Sequence, residues 1–417
     1  MTGPSLDRTV REFGTRIVAA LAARFRDLDL AEEAFAEACA RAAERWPRDG
    51  NPREPAAWLY RVAMRASIDA LRRRRTRLLH APEEPEPEPT AEELMSEAPS
   101  IPDERLRLIF VCCHPAVAVE SRAALTLRIV CRLSVQEIAR AFLISEPTLL
   151  QRLTRAKHKI AEAGVPFEVP SPDAWNERLN AVYSTIEVAY AKAHEDAAGS
   201  GPHAQYAAEM LALSALLAEL VPHEPDALSL AAMLHYAEAR RPARVDRSGI
   251  MVPLSEQDPL LWHRPLIDKG HAYQLRAIAQ AGRGRPTPRV IQAQIHRTWC
   301  ARRSLDEPAP WRDVLALYDM LLEHRDDAIV RLNRIVALAE VAGAQAALGQ
   351  VEQLDAATLA NFLPYHAVRA DLLRRLDRPE EACAAYDAAL ALGPATAGRN
   401  WLLRRRDRMA KDIRPIC

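Results

Sequence analysis

Between Leu79 and Glu104 the chain carries nine Asp or Glu residues, six prolines and no Lys or Arg ("LHAPEEPEPEPTAEELMSEAPSIPDE"). Such a stretch is too poor in apolar side chains to offset the entropy of ordering it, and its prolines interrupt helix and sheet alike. Whatever folds must fold on either side of it.

The flanks have the opposite charge. Residues 1–78 hold 16 Lys or Arg against 11 Asp or Glu, and residues 105–163 hold 10 against 4, although the whole chain has a formal net charge of zero. Basic segments attract phosphate and an acidic tether repels it. Fully extended, 26 residues reach roughly 85 Å at about 3.3 Å each, so two basic units tied this way can act at distant points of one partner.

With 417 residues, 49% of them hydrophobic, the chain can fill two or three cores. Ala, Leu, Arg and Glu dominate and only 14 Gly occur, which favours helix because these side chains lose little rotamer freedom in it. An all-α protein is expected: two small helical domains over 7–78 and 105–165, an acidic linker over 79–104, and an α-helical repeat domain over 170–417. No apolar run approaches the roughly 20 residues of a membrane span, and the N-terminus lacks the apolar stretch of a signal peptide. The expected location is cytoplasmic, with no membrane partner. Seven scattered cysteines suggest free thiols rather than a disulfide framework.

In the first unit, helices are expected to break at "DLDL" and at "WPRDGNPREP". A further helix begins near Pro55 and carries "AAWLYRVAMRASIDALRRRR". Trp58, Leu59, Val62, Ile68 and Leu71 recur at helical spacing, giving a core face opposite a basic one. The run Arg72 to Arg75 has two readings: a solvated helix end that complements the macrodipole, or a phosphate-binding patch.

The second unit opens with "RLRLIFVCCHPAV", in which Cys112, Cys113 and His114 raise the question of a metal site. Neighbouring residues of a helix point about 100° apart and meet one ion poorly. Zinc also requires a second ligand pair, for which only Cys131 and His158 are at hand. Packing of small apolar side chains is the expected role, with His114-Pro115 ending the helix. No metal, cofactor or catalytic residue is expected, since there is neither a Gly-rich phosphate loop nor a nucleophile elbow. Downstream, Ser134 and Glu137 form a capping box, Ser145 caps a second helix with Pro147 in its first turn, and Leu149, Leu153 and Ile160 make its buried seam. Two short helices with a tight turn and a basic second helix form a helix-turn-helix pattern. Thr148, Gln151, Arg152 and Arg155 lie toward its exposed side, where such side chains bond base edges and phosphates.

The remaining 240 residues read as successive amphipathic helices. Ala370, Ala382, Tyr386, Ala389 and Pro394 stand at the offsets of a tetratricopeptide repeat, and Tyr318 precedes Tyr386 by two 34-residue periods.

The stretch "DLDLAEEAFAEACARAAERWPRDGNPREPAAWLYRVAMRASIDALRRRR" resembles region 2 of bacterial RNA polymerase sigma factors of the extracytoplasmic-function group. "ALTLRIVCRLSVQEIARAFLISEPTLLQRLTRAKHKI" resembles their region 4. The tail is similar to that of a subgroup with a helical-repeat extension, in "PDERLRLIFVCCHPAV", "ARVDRSGIMVPLSEQDPLLWHRPLI" and "VRLNRIVALAEVAGAQAAL". The resemblance implies core RNA polymerase and promoter DNA as partners. Glu33, Glu37 and Arg41 would meet the clamp helices of the largest polymerase subunit. The loop from Pro47 to Pro55, with Asn51, and the helix after it, with Trp58, Tyr60, Arg61, Arg65, Arg72 and Arg73, would meet the −10 element, Trp58 being open to a core role as well. Ser145, Thr148, Gln151, Arg152, Arg155 and Lys157 would meet the −35 element. The sequence departs from the family at Met64-Arg65, where a basic-then-Asn pair is common, and at Leu150, where a polar residue is usual. A spacer of about 17 base pairs is roughly 58 Å long at about 3.4 Å per pair, within reach of the tether. The extension is expected to pack on the sigma core and to be needed for activity. The competing reading is a stand-alone helix-turn-helix regulator with a ligand- or peptide-sensing repeat domain.

Overall fold

The computed structural model describes residues 4–79, 104–142, 144–195, 203–282 and 284–413. The acidic tether, apart from its two end residues, lies outside them. Among the described residues every regular element is helical, and the one extended pairing is an isolated bridge between Val245 and Met251. The chain divides into two units, Met1–Ala189 and Tyr190–Cys417.

The first unit begins with α1 (Pro4–Phe25), α2 (Leu28–Asp49) and α3 (Pro55–Leu79). Asp27 separates α1 from α2, its carboxylate accepting the Leu30 N–H at 3.0 Å as an N-cap. The expected break at "WPRDGNPREP" falls within that stretch, at Gly50 to Glu54. Pro47 sits inside the last turn of α2, where losing one backbone hydrogen bond costs least, and the helix stops at Gly50 with φ 84°. The connection to α3 is thus five residues, Gly50 to Glu54.

After the tether come α4 (Arg105–Cys112), α5 (Val119–Ile129), α6 (Val135–Phe142) and α7 (Glu146–Glu162). Leu108 to Cys113, six residues in a row, are buried all round. A helix apolar on every side needs partners on every side. These are α1, whose Ile17 to Ala22 are likewise buried in an unbroken run, then α5, and the helix that follows α7.

That helix, α8 (Pro172–Glu195), starts the C-terminal extension, and its part up to Ala189 belongs to the first unit. The Arg178 guanidinium donates to the Phe110 carbonyl at 2.6 Å, and the Trp175 ring lies 5.6 Å from that of Phe110. The boundary expected near residue 170 is a turn in the chain but not an edge of the core.

The second unit holds the end of α8 with α9 (His203–Leu220), α10 (Pro225–Ala239), α11 (Arg264–Ala281), α12 (Pro288–Cys300), α13 (Trp311–Leu322), α14 (Ala328–Ala342), α15 (Ala344–Val351), α16 (Leu363–Arg375), α17 (Pro379–Ala391) and α18 (Thr396–Ile413). On α10, Tyr236 is fully buried and its hydroxyl meets His271 Nδ1 at 2.8 Å. Gly270 leaves room for its ring, since a methyl there would fall 2.8 Å from it. The irregular segment from Arg244 to Trp262 is pinned by the buried Arg302, which donates to the carbonyls of Ser255 and Glu307, and by Met251 N–H to the Ala397 carbonyl. Ala370, Ala382, Tyr386 and Ala389 all fall in one core shared by α14 to α18. Alanines where α16 and α17 meet let the two helices approach closely, and Tyr386 fills the space beyond them.

Because Tyr386 is fully enclosed, Tyr386→Ala should destabilise the chain by about 3–5 kcal/mol, from lost transfer energy plus a cavity that cannot fully close. A urea titration followed by circular dichroism should show the part of the transition due to this unit moved to lower denaturant. Tyr386→Phe should leave it nearly in place.

Candidate nucleic-acid and polymerase interface

The helix-turn-helix is built by its caps. Glu137 N–H donates to Ser134 Oγ at 3.1 Å while the Glu137 carboxylate accepts the Ser134 N–H at 2.7 Å, the reciprocal pair read from the sequence. Ser145 Oγ accepts the Thr148 N–H at 3.3 Å and also pairs with the Thr148 hydroxyl at 2.8 Å. Leu149, Leu153, Ala156 and Ile160 make the buried seam of α7. That seam turns the other side outward: Ser145, Thr148, Gln151 and Arg155 are exposed and Arg152 half-exposed, with Leu150 exposed among them. A rigid helix with hydroxyl, amide and guanidinium groups on one face has the chemistry of major-groove recognition.

Lys157 is the exception. Its side chain is only 17% exposed and turns to α2, where the ammonium bonds Asp29 Oδ1 at 2.5 Å and Glu32 Oε2 at 2.7 Å. Burial works against the charge, but Glu32 and the two hydrogen bonds prevail and lift the Lys157 pKa above its ordinary value. In this conformation Lys157 does not stand with the other −35 candidates.

In the first unit's other reading face, Asn51 is exposed in the loop that Gly50 opens. Tyr60, Arg61 and Arg65 are half-buried along α3, and Arg72 and Arg73 are exposed at its end. Burial and the neighbouring Arg65 charge lower the Arg61 pKa, so the two guanidiniums one turn apart make a site of positive potential. Arg74, next in the basic run, is tied to the capping Asp27 at 3.1 Å. Trp58 is a core residue, 8% exposed and edge-on to Trp46 with ring centroids 5.6 Å apart, which removes it from the surface a base could reach. Leu71, expected on the core face, is 40% exposed.

On α2, Glu33 is exposed and Glu37 pairs with Arg41 at 2.6 Å, both partly open to solvent. Asp29, Glu33 and Glu37 recur every four residues and share one stripe.

Cys112 and Cys113 are buried in the core, where desolvation pushes both thiols above their ordinary pKa. Cys113 Sγ meets Thr126 Oγ1 at 3.4 Å. His114 closes the turn after α4 by accepting the Ala116 N–H at 3.1 Å. Among the described residues no group of three His, Cys, Asp or Glu side chains is gathered that could hold a metal, and no helix is long and apolar enough to cross a membrane.

The first unit thus pairs a capped helix-turn-helix with a three-helix segment that carries exposed arginines at the end of α3. Comparison with known proteins makes this specific. Residues 9–77 match Sigma-70 region 2, residues 107–160 match Sigma-70, region 4, and residues 178–278 match a family of unknown function (DUF6596). The chain is 40% identical over 398 residues to an uncharacterized protein of Rhizobium meliloti (strain 1021), covering 94% of this chain and 93% of that protein. No solved structure matches it. The chain belongs to this family of sigma-70-type factors with a helical C-terminal extension, proteins that are not enzymes and whose domains bind core RNA polymerase and promoter DNA.

The role of α8 was not legible from helix periodicity, but Trp175 and Arg178 carry it. Removing α8 uncovers Phe110 and leaves its carbonyl unpaired. A 1–169 chain should therefore melt well below a 1–195 chain and bind a dye for exposed apolar surface, whereas 1–195 should keep the circular dichroism expected of a folded first unit. Separately, Ser145→Ala should cost about 1 kcal/mol by removing a helix cap, seen as faster amide exchange in the first turn of α7.

Proposed function

We propose that this chain directs promoter-specific initiation as a sigma factor of the extracytoplasmic-function type, with α3 and the Gly50–Glu54 loop on the −10 element and α7 on the −35 element. The observation that carries the reading is the occurrence in one chain of a region 2 fold and a capped region 4 helix-turn-helix, each with its polar reading face outward, on either side of a tether long enough for a promoter spacer. Asn51, Tyr60, Arg61, Arg65, Arg72 and Arg73 serve the upstream edge of melting, Ser145, Thr148, Gln151, Arg152 and Arg155 the −35 groove, and Glu33, Glu37 and Arg41 the clamp helices of polymerase. Two weak DNA readers held on one polymerase gain from high effective concentration, so neither needs to bind tightly alone. The extension, with its TPR-like end, completes the factor rather than decorating it, since α8 supplies part of the first unit's core. The stand-alone regulator reading gives no use to the acidic stripe on α2.

Transcription of a genomic promoter library with core RNA polymerase tests this. The full chain should initiate at a defined set of promoters. DNA binding without any initiation would move the function to operator regulation. Arg152→Ala and Arg155→Ala should weaken open-complex formation, and either substitution, where it removes a cation from a DNA phosphate, should lower the slope of log affinity against log salt by about one.

A further inference from the structure

The outer face of α7 is divided. Around the buried seam of Leu149, Leu153, Ala156 and Ile160, the exposed side chains form two rows. Thr148, Gln151 and Arg155 make one, spaced three and four residues apart, and each of them carries hydrogen-bonding groups. Glu146, Leu150 and Thr154 make the other, spaced four apart. In the middle of that second row Leu150 is 49% exposed, and among the described residues of α4 to α7 it is the one large apolar side chain left open to water. The other large apolar groups of these helices are buried or half-buried.

A single exposed leucine is ordinary on a protein surface, and position is what gives this one a meaning. Ser145 caps α7 and fixes where the helix starts, so Leu150 falls in the second turn, in the part of a recognition helix that meets base edges in the major groove. There the thymine 5-methyl is the apolar group on offer. A purine set against leucine would have its N7 and its O6 or N6 edge stripped of water with nothing returned, and a buried polar group left unsatisfied costs more than a missed contact. Cytosine has a hydrogen where thymine has the methyl, and its amino group would be left without an acceptor. Leucine therefore selects by what it cannot bond as well as by what it touches. Gln151, the next residue, belongs to the other row, so an amide can read a base edge while the leucine covers a methyl.

We propose that Leu150 is a specificity residue of the −35 contact, seated against the 5-methyl group of one thymine while the row of Thr148, Gln151 and Arg155 bonds the polar base edges and phosphates beside it. This rests on the reading of α7 as the −35 helix. The two rows then divide the work. Hydrogen bonds and charge from the first set register and most of the affinity, and the leucine adds a preference for one base at one position. Leu150 brings no charge to the DNA, so it releases no counterion, and its contribution is independent of salt.

The test removes the methyl from the DNA. Promoters are first selected from a random library by the full chain with core RNA polymerase. Each thymine of the selected −35 element, on either strand, is then replaced by deoxyuridine, which keeps every hydrogen-bonding group and lacks only the methyl. The wild-type complex should lose affinity about fourfold at one position, the value of one methyl group withdrawn from water. Leu150→Ala should bind thymine and uracil equally at that position, respond as wild type does at the others, and leave the slope of log affinity against log salt unchanged. Its circular dichroism should match wild type, since alanine favours helix at an exposed position. A scan in which no thymine is sensitive to loss of its methyl would overturn the proposal. So would a sensitive thymine that stays sensitive in Leu150→Ala, which would give the methyl to another side chain. If the chain selects no promoter with polymerase, the sigma reading fails, and the same scan on duplexes selected by the chain alone still reports whether Leu150 reads a methyl. A chain that selects no DNA in either setting overturns both.

Discussion

The burial of α4 on all sides is the constraint on which the first unit depends. Six consecutive side chains from Leu108 to Cys113 have no polar face to offer water, so the helix is stable only inside a shell. No single neighbour supplies that shell. Region 2 contributes α1, region 4 contributes α5, and the extension contributes the start of α8. One apolar helix thereby makes three sequence regions interdependent, and the adjacent thiols that suggest chemistry are small side chains suited to close packing.

From this follows an asymmetry in what the rest of the unit can do. Core groups are committed inward, and the polar groups are sorted by where the seams fall. The seam of α7 leaves Thr148, Gln151 and Arg155 outward, while Lys157, a half-turn aside, is captured by carboxylates of α2. A basic residue on the second helix of a helix-turn-helix is therefore no guide to its partner within the chain. Charge complementarity that serves phosphate serves Asp29 and Glu32 equally well.

Local features were legible in the sequence because their physics is local. The Ser134–Glu137 box, the Ser145 cap and the Leu149, Leu153, Ile160 seam each depend on residues a few positions apart, and the structure has all of them. So were the buried alanines and Tyr386 of α16 and α17, since close helix crossing demands small residues. What sequence spacing could not provide were long-range partners. Trp58 stands on the core face by spacing and among the −10 candidates by resemblance, and its burial against Trp46 decides for the core. That Pro47 still belongs to α2 depends on Gly50 ending the helix three residues later. The inclusion of α8 in the first unit depends on Arg178 reaching a carbonyl 68 residues away.

The most direct measurement of whether α4 holds three regions together is hydrogen exchange along the full chain free of polymerase. There the amides of α4 should exchange only through unfolding of the whole first unit, with α1 and the first half of α8 protected to the same extent. Exchange of α4 within seconds in the folded free chain, or protection of α4 that survives while α8 exchanges freely, would contradict the shared core from which the rest of the structure is argued.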